Sequence, residues 1–237
     1  MLNTIKLGTL LLDGEPKKPC VVPEEDTKIL IGDTVSGMEL EWIRLGDLLL
    51  AKNCVCTDVS WFWLDQLDLI YGRTITIDGK QYFCSSLSVG KEMGVPNEWD
   101  FYLDSIGYSP YQLTFPFWGK DTAKSDLTQP QRVVRGGDAA RFWGSVYWES
   151  RYEDVGFRPI LEPLDNHLQA SDLLNRQVRI RGARSEITIG TLVDYDDYDV
   201  VLNDVIVAPE SECIYKRGTN VFVSRSNIAG IARLQAG

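Results

Sequence analysis

The side chains best suited to nucleophilic or redox chemistry in this chain are five cysteines: Cys20, Cys54, Cys56, Cys84 and Cys213. They form neither a Cys-x-x-Cys metal pair nor an even disulfide set, so reduced thiols are expected. Cys54 and Cys56 stand two residues apart in a predicted strand and should face the same side of a sheet. This spacing fits a thiolate pair, but the preferred interpretation is two buried thiols packed as small apolar groups.

Metal and phosphate chemistry has little support in the sequence. The chain has one histidine, His167, in the polar stretch LDNHLQASD, and a lone histidine cannot build a site of several imidazoles. It contains no glycine-rich phosphate loop and no His-Glu-x-x-His or Gly-x-Ser-x-Gly motif. The sequence therefore predicts no catalytic residue, no metal and no cofactor.

Binding chemistry is better represented, in the stretch from Arg132 to Glu162. A Gly136-Gly137 pair follows two valines and can take positive φ, and a run of large rings comes after it: Phe142, Trp143, Tyr147, Trp148 and Tyr152. Clustered aromatic side chains are favoured recognition surfaces when exposed. Burial against the rest of the domain and ligand contact both fit these positions.

A second candidate ligand wall lies in the segment from Val89 to Gln131. It is rich in Gly, Pro and aromatic residues, and long irregular segments inside compact domains are uncommon unless they bind something. Trp99 and Trp118, with Phe117, are the predicted anchors.

Composition limits the class of protein. The chain has 237 residues, of which 44% are hydrophobic and 11% aromatic, enough for a substantial core. Its net charge of −10 opposes non-specific binding to phosphate backbones. It has no apolar stretch of membrane-spanning length and its first residues lack the pattern of a signal peptide, so a cytoplasmic protein without membrane contact is expected.

Local patterns predict the secondary structure of the first half. Short apolar runs between Ile29 and Val59 predict strands, and DVSWFWLDQLDLIYG predicts a short helix capped by Asp58 or Ser60. TITIDGKQYFCSSL predicts a β-hairpin, because Asp78-Gly79 favours a type I′ turn.

The pattern Arg135-Gly136-Gly137 followed by Gly156-Phe157-Arg158 resembles the closing motifs of the C-type-lectin-like fold of the formylglycine-generating-enzyme family. In that family the stretch between the motifs faces the ligand. Strings similar to ITIDGK with the same ending also occur in proteins of Gram-positive bacteria and their phages. The resemblance implies a C-type-lectin-like domain over residues 1–165.

The same resemblance bears on catalysis. Formylglycine-generating enzymes hold copper with a cysteine pair near these motifs, and no cysteine lies between Arg132 and Arg158 here. Related iron enzymes need several histidines. The chain therefore resembles the fold without its catalytic residues.

A second domain is predicted at 177–237, after a linker and short helix at 166–176. Its successive β patterns predict a small, strongly bent barrel, and Gly190 to Asp204 with Val221 to Ile231 resemble the two motifs of Sm/LSm-type domains. The resemblance implies ring-like assembly through edge strands.

The loop of this barrel departs from the family pattern. The Met-Asn pair that follows the aromatic residue in RNA-binding members is absent, since Tyr198 is followed by Asp199 alone, and Ser224-Arg225 stands where the second motif normally has Arg-Gly or Lys-Gly. Asp196, Asp197 and Asp199 crowd the same loop with negative charge. Carboxylates repel phosphate, so assembly or protein contact is favoured over RNA binding. The acidic loop lacks the register of a calcium site, and it can also imitate nucleic acid for a basic partner.

These observations predict an α+β fold: a C-type-lectin-like domain followed by an Sm-like (SH3-like) barrel. The predicted function is that of a non-enzymatic recognition protein of bacterial or phage origin, which binds a protein or small-molecule ligand through its aromatic surface and forms homo-oligomers through the barrel. Two alternatives remain: a phage anti-defence protein that binds a host nucleic-acid machine or a nucleotide, and a diverged formylglycine-generating oxidase.

Overall fold

The computed structural model describes residues 3–107, 115–124, 128–164 and 170–234. Strands take 47% of the described residues and helices 10%. The fold is therefore mainly β, and the predicted α+β class is wrong. The prediction missed the strands at Thr4–Leu12 and Glu15–Lys17 in the N-terminal segment and at Phe117–Thr122 in the presumed loop region.

The described strands and α-helices are, in chain order, β1 (Thr4–Leu12), β2 (Glu15–Lys17), β3 (Ile29–Gly32), β4 (Glu39–Leu45), β5 (Leu48–Ala51), β6 (Cys56–Thr57), α1 (Trp61–Gln66), β7 (Arg73–Ile77), β8 (Lys80–Ser85), α2 (Glu98–Ile106), β9 (Phe117–Thr122), β10 (Gln131–Arg135), β11 (Trp143–Tyr147), β12 (Gly156–Phe157), β13 (Ile160–Pro163), β14 (Gln177–Gly182), β15 (Ile187–Tyr195), β16 (Asp199–Val207), β17 (Ile214–Arg217), β18 (Asn220–Ser224) and β19 (Ile228–Arg233). Two 3-10 helices cover Ala170–Leu173 and Arg225–Asn227.

These strands form three curled sheets. The first has eight strands in the order β2-β1-β4-β5-β13-β8-β7, with β3 paired to β1. The second has five strands in the order β11-β10-β9-β12-β6, and the third has six in the order β17-β18-β16-β15-β14-β19. The second sheet contains the Arg132 to Phe157 stretch, and β11 lies at its end.

Three local predictions of the first half are confirmed. β7 and β8 form the expected hairpin, and both turn residues have positive φ, 50° for Asp78 and 76° for Gly79, as a type I′ turn requires. The helix α1 begins after Ser60, whose hydroxyl accepts a hydrogen bond from Trp63 N at 3.1 Å. Four strands, β3 to β6, lie between Ile29 and Val59 as predicted.

The segment from Val89 to Gln131 is more regular than expected. It contributes α2 and β9, and Asn97 caps α2 by accepting a hydrogen bond from Asp100 N at 2.9 Å. Residues 108–114 and 125–127 lie outside the described part of the segment. The ordered helix and strand bring Trp99, Phe101, Tyr102, Phe117 and Trp118 into the core.

The predicted second domain begins at residue 177, and the third sheet is built entirely from Gln177 and the residues after it. Residues 166–169 of the predicted linker, His167 among them, lie outside the described residues, and a 3-10 helix follows at Ala170–Leu173. The third sheet nevertheless shares a hydrophobic core with the preceding part of the chain. That shared core includes Leu45, Leu48, Trp99, Phe117, Ile187, Ile189, Val207 and Ala232.

Buried charges also join the third sheet to the rest. Arg179 on β14 lies 2.6 Å from Glu98 Oε1 on α2 and 2.6 Å from Glu162 Oε2 on β13. Arg181 also contacts Glu162, at 3.0 Å. All four side chains are at least nine-tenths buried. The two parts therefore meet through a buried, charged interface as well as an apolar one.

Among the described helices, none combines the length and apolar character that a membrane crossing requires.

Candidate functional site

The turn after β10 builds the candidate site. β10 ends at Arg135, and Gly136 and Gly137 follow with φ of 86° and 94°, a region that side chains with a Cβ rarely adopt. Gly136 N donates a hydrogen bond to Phe142 O at 3.2 Å, which closes the turn and starts β11 in antiparallel register. Arg135 and Trp143 are direct cross-strand partners as a result.

Arg135 is held in place by two elements. Only 2% of its surface is exposed. Its Nη1 donates to Val89 O at 2.8 Å, and its Nη2 to Asp100 Oδ1 at 2.5 Å. Its Nε is buried without an acceptor among the described residues. Burial lowers the pKa of Arg135, and the charge of Asp100 opposes that shift, so the guanidinium stays charged.

Asp100, in the first turn of α2, has both carboxylate oxygens occupied. Oδ1 accepts a hydrogen bond from Arg135 Nη2, and Oδ2 accepts one from Asn97 Nδ2 at 2.6 Å. Arg141 forms two ion pairs. Its Nη1 lies 3.3 Å from Asp100 Oδ1, and its Nη2 contacts Asp104 Oδ1. Arg141 has 52% of its side chain exposed, so it keeps donors that face solvent.

A cleft of about 380 Å³ opens between this cluster and the loop before α2. It is lined by Met93, Gly94, Val95, Pro96, Asp100, Arg135, Arg141 and Trp143. Trp143 Nε1 donates to Gly90 O at 3.0 Å, which fixes the indole at the cleft wall. The volume falls in the range of small-molecule sites, and such sites combine apolar walls with a few polar groups, as this one does.

The polar chemistry of the cleft favours an anion. Asp100 already accepts hydrogen bonds on both oxygens, whereas Arg141 has 52% of its side chain exposed and keeps donors open to a ligand. Guanidinium groups bind carboxylates and phosphates through charge-assisted hydrogen bonds. Met93, Val95 and Trp143 would contact an apolar or flat part of the same ligand.

The aromatic residues predicted to bind ligand fall into three groups. Trp99 and Trp118 have no exposed surface, and their Nε1 atoms donate to Ala140 O and Val59 O. They are core residues, so their assignment to a ligand wall is corrected, as is that of the equally buried Phe117.

Trp148 and Tyr152 form the second group and are partly buried. Trp148 packs edge-on against Phe62 of α1, with ring centroids 5.1 Å apart, and Tyr152 packs against Trp118 at 6.2 Å. Trp143, Phe142 and Tyr147 form the third group: Trp143 lines the cleft, while Phe142 and Tyr147 are 50% and 42% exposed. Of the predicted aromatic residues, Trp143 is thus the one in contact with the cleft.

The acidic loop of the third sheet is closed on itself. Asp196 Oδ1 accepts hydrogen bonds from Tyr198 N and Asp199 N, each at 2.7 Å, and these bonds lower the pKa of Asp196. Arg225 Nη1 donates a hydrogen bond to Asp196 O at 2.6 Å, and this bond stabilises the loop. Asp197 and Tyr198 point outward, and Tyr198 is 79% exposed.

The thiols do not form a pair. Cys54 packs in the shared core, whereas Cys56 packs in the core beneath the first and second sheets, so the expectation that both face one side is wrong. β6 covers only Cys56–Thr57, so the strand geometry behind that expectation does not reach Cys54. Burial raises the pKa of Cys54 and of Cys84 to about 12 and raises the pKa of Cys56 as well.

Asp100, Arg141 and the Met93 to Pro96 loop were not predicted as site residues. A local signal was present, because Asn97 followed by Asp100 is typical of a helix start. That signal places α2 but not the distant strand against which it packs. Within the described ranges, no group of three or more His, Cys, Asp or Glu side chains is arranged to hold a metal ion.

Comparison of the chain with protein-family models, curated proteins and solved structures finds no match.

Proposed function

We propose that this chain is a non-catalytic recognition protein of bacterial or phage origin that binds an anionic ligand with an apolar or aromatic part. The observation that carries the proposal is the cleft between β11 and the loop before α2, where Arg141 and the buried Arg135 stand beside Trp143. Under this proposal residues 1–165 are a C-type-lectin-like domain and the following barrel is Sm-like. The cleft uses the stretch that faces the ligand in the resembled family.

The state of the thiols supports a binding role over a thiol-dependent oxidase. Cys54 and Cys56 lie in different cores, and burial raises the pKa of both, so they stay protonated at neutral pH. A protonated, enclosed thiol is a poor nucleophile and a poor metal ligand. The alternative of a diverged formylglycine-generating oxidase would need both groups to ionise.

The third sheet supports the cleft from behind. Arg179 on β14 pairs with Glu98, which is in the same turn of α2 as Asp100. The barrel therefore fixes the helix whose first turn forms one side of the cleft. Preorganised binding groups lose less entropy when the ligand arrives.

Titration with matched probes tests this proposal. Indole-3-acetate and adenosine monophosphate carry a flat apolar part and an anion, and indole-3-acetamide and adenosine lack the charge. We expect the anionic member of at least one pair to change tryptophan fluorescence and to bind at least about tenfold more tightly than its neutral analogue, since charge-assisted hydrogen bonds contribute about 1.5 to 3 kcal/mol.

Two variants locate the binding. Arg141→Gln should remove the preference for the anion, whereas Phe142→Ala, at an exposed neighbour outside the cleft lining, should leave affinity unchanged. Binding of none of the four probes, or binding that survives Arg141→Gln unaltered, would contradict the proposal.

A further inference from the structure

The end strand of the second sheet, β11, has an open edge. It pairs with β10 and with no other described strand, and all five of its residues are at least partly exposed. Gly136 and Phe142 form a hydrogen-bonded pair, and such pairs alternate along an antiparallel ladder. The backbone N–H and C=O groups of Trp143, Ser145 and Tyr147 therefore point away from β10, toward the free side.

Three other sheet ends, β2, β17 and β19, carry features that discourage pairing. β2 is three residues long and contains Pro16 between two charged side chains, and β17 carries the exposed Lys216 and Arg217. On β19 the backbone groups of Arg233 are already hydrogen-bonded to Asp47. Asp47 N donates to Arg233 O, and Asp47 Oδ2 accepts from Arg233 N, both at 2.9 Å. β11 reads WGSVY, without a charge or a proline. An edge without protection is a template for another strand.

We propose that β11 pairs antiparallel with β11 of a second copy of this chain, about a two-fold axis at Ser145. In this register each outward N–H and C=O of the strand meets its complement on the partner. The two five-stranded sheets then join into one continuous sheet. Isologous pairing of this kind closes a dimer, because it uses the β11 edge of both copies.

The side chains are complementary in this register. Trp143 faces Tyr147 of the partner subunit, which gives two aromatic cross-strand pairs, and Gly144 faces the partner's Val146. Just beyond the strand, the exposed Arg141 faces Glu149 of the partner subunit. Aromatic pairs and opposite charges directly opposite each other stabilise a sheet, whereas like charges do the reverse. This complementarity favours a second copy over an unrelated strand.

The partner also adds to the cleft. Trp143, Ser145 and Tyr147 lie on the same face of the sheet as Arg135, because Arg135 and Trp143 are cross-strand partners. Tyr147 of the partner subunit would therefore stand beside Trp143 at the cleft wall. The dimer itself does not require that the cleft bind a ligand, so the two proposals can fail separately.

Mass measurement and cross-linking test the dimer. The full chain has a mass of 26.8 kDa, and we expect light scattering to give twice that value at high protein concentration. Ser145→Lys places two like charges at the axis and should return the mass to that of the monomer. Tyr215→Lys, on the edge strand β17, is the matched control and should leave the dimer intact.

A cysteine at the axis gives a second readout that does not depend on the charge variant. In a background of Cys20→Ser and Cys213→Ser, Ser145→Cys should form an intermolecular disulfide under mild oxidation, because directly opposed residues of an antiparallel pair lie within disulfide reach. The background without Ser145→Cys should not cross-link. A monomeric mass at millimolar concentration without cross-linking would overturn the proposal, and so would a dimer that Tyr215→Lys disrupts and Ser145→Lys does not.

Discussion

Arg179 Nε lies 2.6 Å from Glu98 Oε1, although 81 residues separate them in the chain and neither side chain has more than 1% of its surface exposed. Burial alone lowers the pKa of Arg179, but the charges of Glu98 and Glu162 more than compensate, so the pKa is raised. Tyr102 donates its hydroxyl to the same Glu98 oxygen at 2.8 Å, and Ser88 N donates to the other at 2.9 Å. Both carboxylate oxygens of Glu98 therefore accept hydrogen bonds, and the ion pair with Arg179 joins α2 to β14.

Removing one charge of this pair should be costly. We expect Glu98→Gln to lower the free energy of unfolding by about 3 to 5 kcal/mol, because Arg179 would keep a buried charge with one partner fewer. Urea denaturation followed by tryptophan fluorescence measures the change. The control is Glu41→Gln, which breaks a half-exposed pair with Lys52 and should cost no more than about 1 kcal/mol. Similar losses in both variants would mean that water reaches Arg179.

The shared core predicts that the two parts of the chain unfold together. All seven tryptophans lie before residue 165, so fluorescence reports that part, while amide hydrogen exchange in β15 and β16 reports the third sheet. The two signals should give the same midpoint in urea, since Ile187, Ile189 and Val207 pack in the core that also contains Trp99. Separate midpoints would show that the third sheet folds independently.

Lys120 predicts a specific pH dependence. It is buried beside the same ion cluster and donates to Ser185 O at 2.8 Å, and burial lowers its pKa from 10.5 to about 8. Between pH 8 and pH 10.5 the Lys120 amine binds a proton more readily in the unfolded chain than in the folded protein. The contribution of Lys120 to the free energy of unfolding therefore increases as the pH rises from 8 to 10.5 and decreases as the pH falls back to 8.

Lys120→Met should remove that pH dependence. The difference in unfolding free energy between the wild type and Lys120→Met should change by at most about 3 kcal/mol across this range, in favour of the wild type at high pH. Lys124→Met, at an exposed position, should show no such change. A difference that is flat from pH 8 to 10.5 would mean that Lys120 keeps an ordinary pKa.

The parts of the fold that the sequence predicted depend on short-range chemistry. Asp78-Gly79 specifies its hairpin and Ser60 its helix start, because each acts on backbone groups within a few residues. Arg179 and Arg181 alternate with apolar residues in β14, which places them on one face of the strand. Whether that face meets solvent or Glu98 depends on a helix far away in the chain.

The candidate site shows the same division. The aromatic composition between Gly137 and Gly156 fitted burial and ligand contact alike, and composition could not separate Trp143, at the cleft wall, from Trp148, packed against Phe62. Trp99 and Trp118 were misplaced for a related reason. A segment rich in aromatic residues fits either a binding wall or a core, and here the packing of α2 and β9 buries Trp99 and Trp118.

Gly156, in the Gly-Phe-Arg motif, should not tolerate a side chain. A Cβ at this position would lie 2.5 Å from Cys56 O and 2.8 Å from Cys54 Cβ, and the first of these atoms belongs to the backbone of a paired strand. We expect Gly156→Ala to lower the free energy of unfolding by about 2 kcal/mol or more, which thermal unfolding would reveal. Gly144→Ala, where movable side chains are the nearest neighbours, should cost less. Equal costs would mean that β6 shifts easily.

The thiols provide the most direct test of thiol chemistry in this chain. Disulfide exchange requires the thiolate, and burial raises the pKa of Cys54 and Cys84 to about 12, so at pH 8 these groups should not react with Ellman's reagent in the folded protein. We expect Cys20, which is exposed, and the partly exposed Cys213 to react, and all five cysteines to react in denaturant. In the Cys20→Ser, Cys213→Ser background, labelling of the native protein should therefore be no faster than its unfolding. Rapid labelling in that background would mean that a buried thiol is accessible and ionised, and it would favour the oxidase alternative over the binding role.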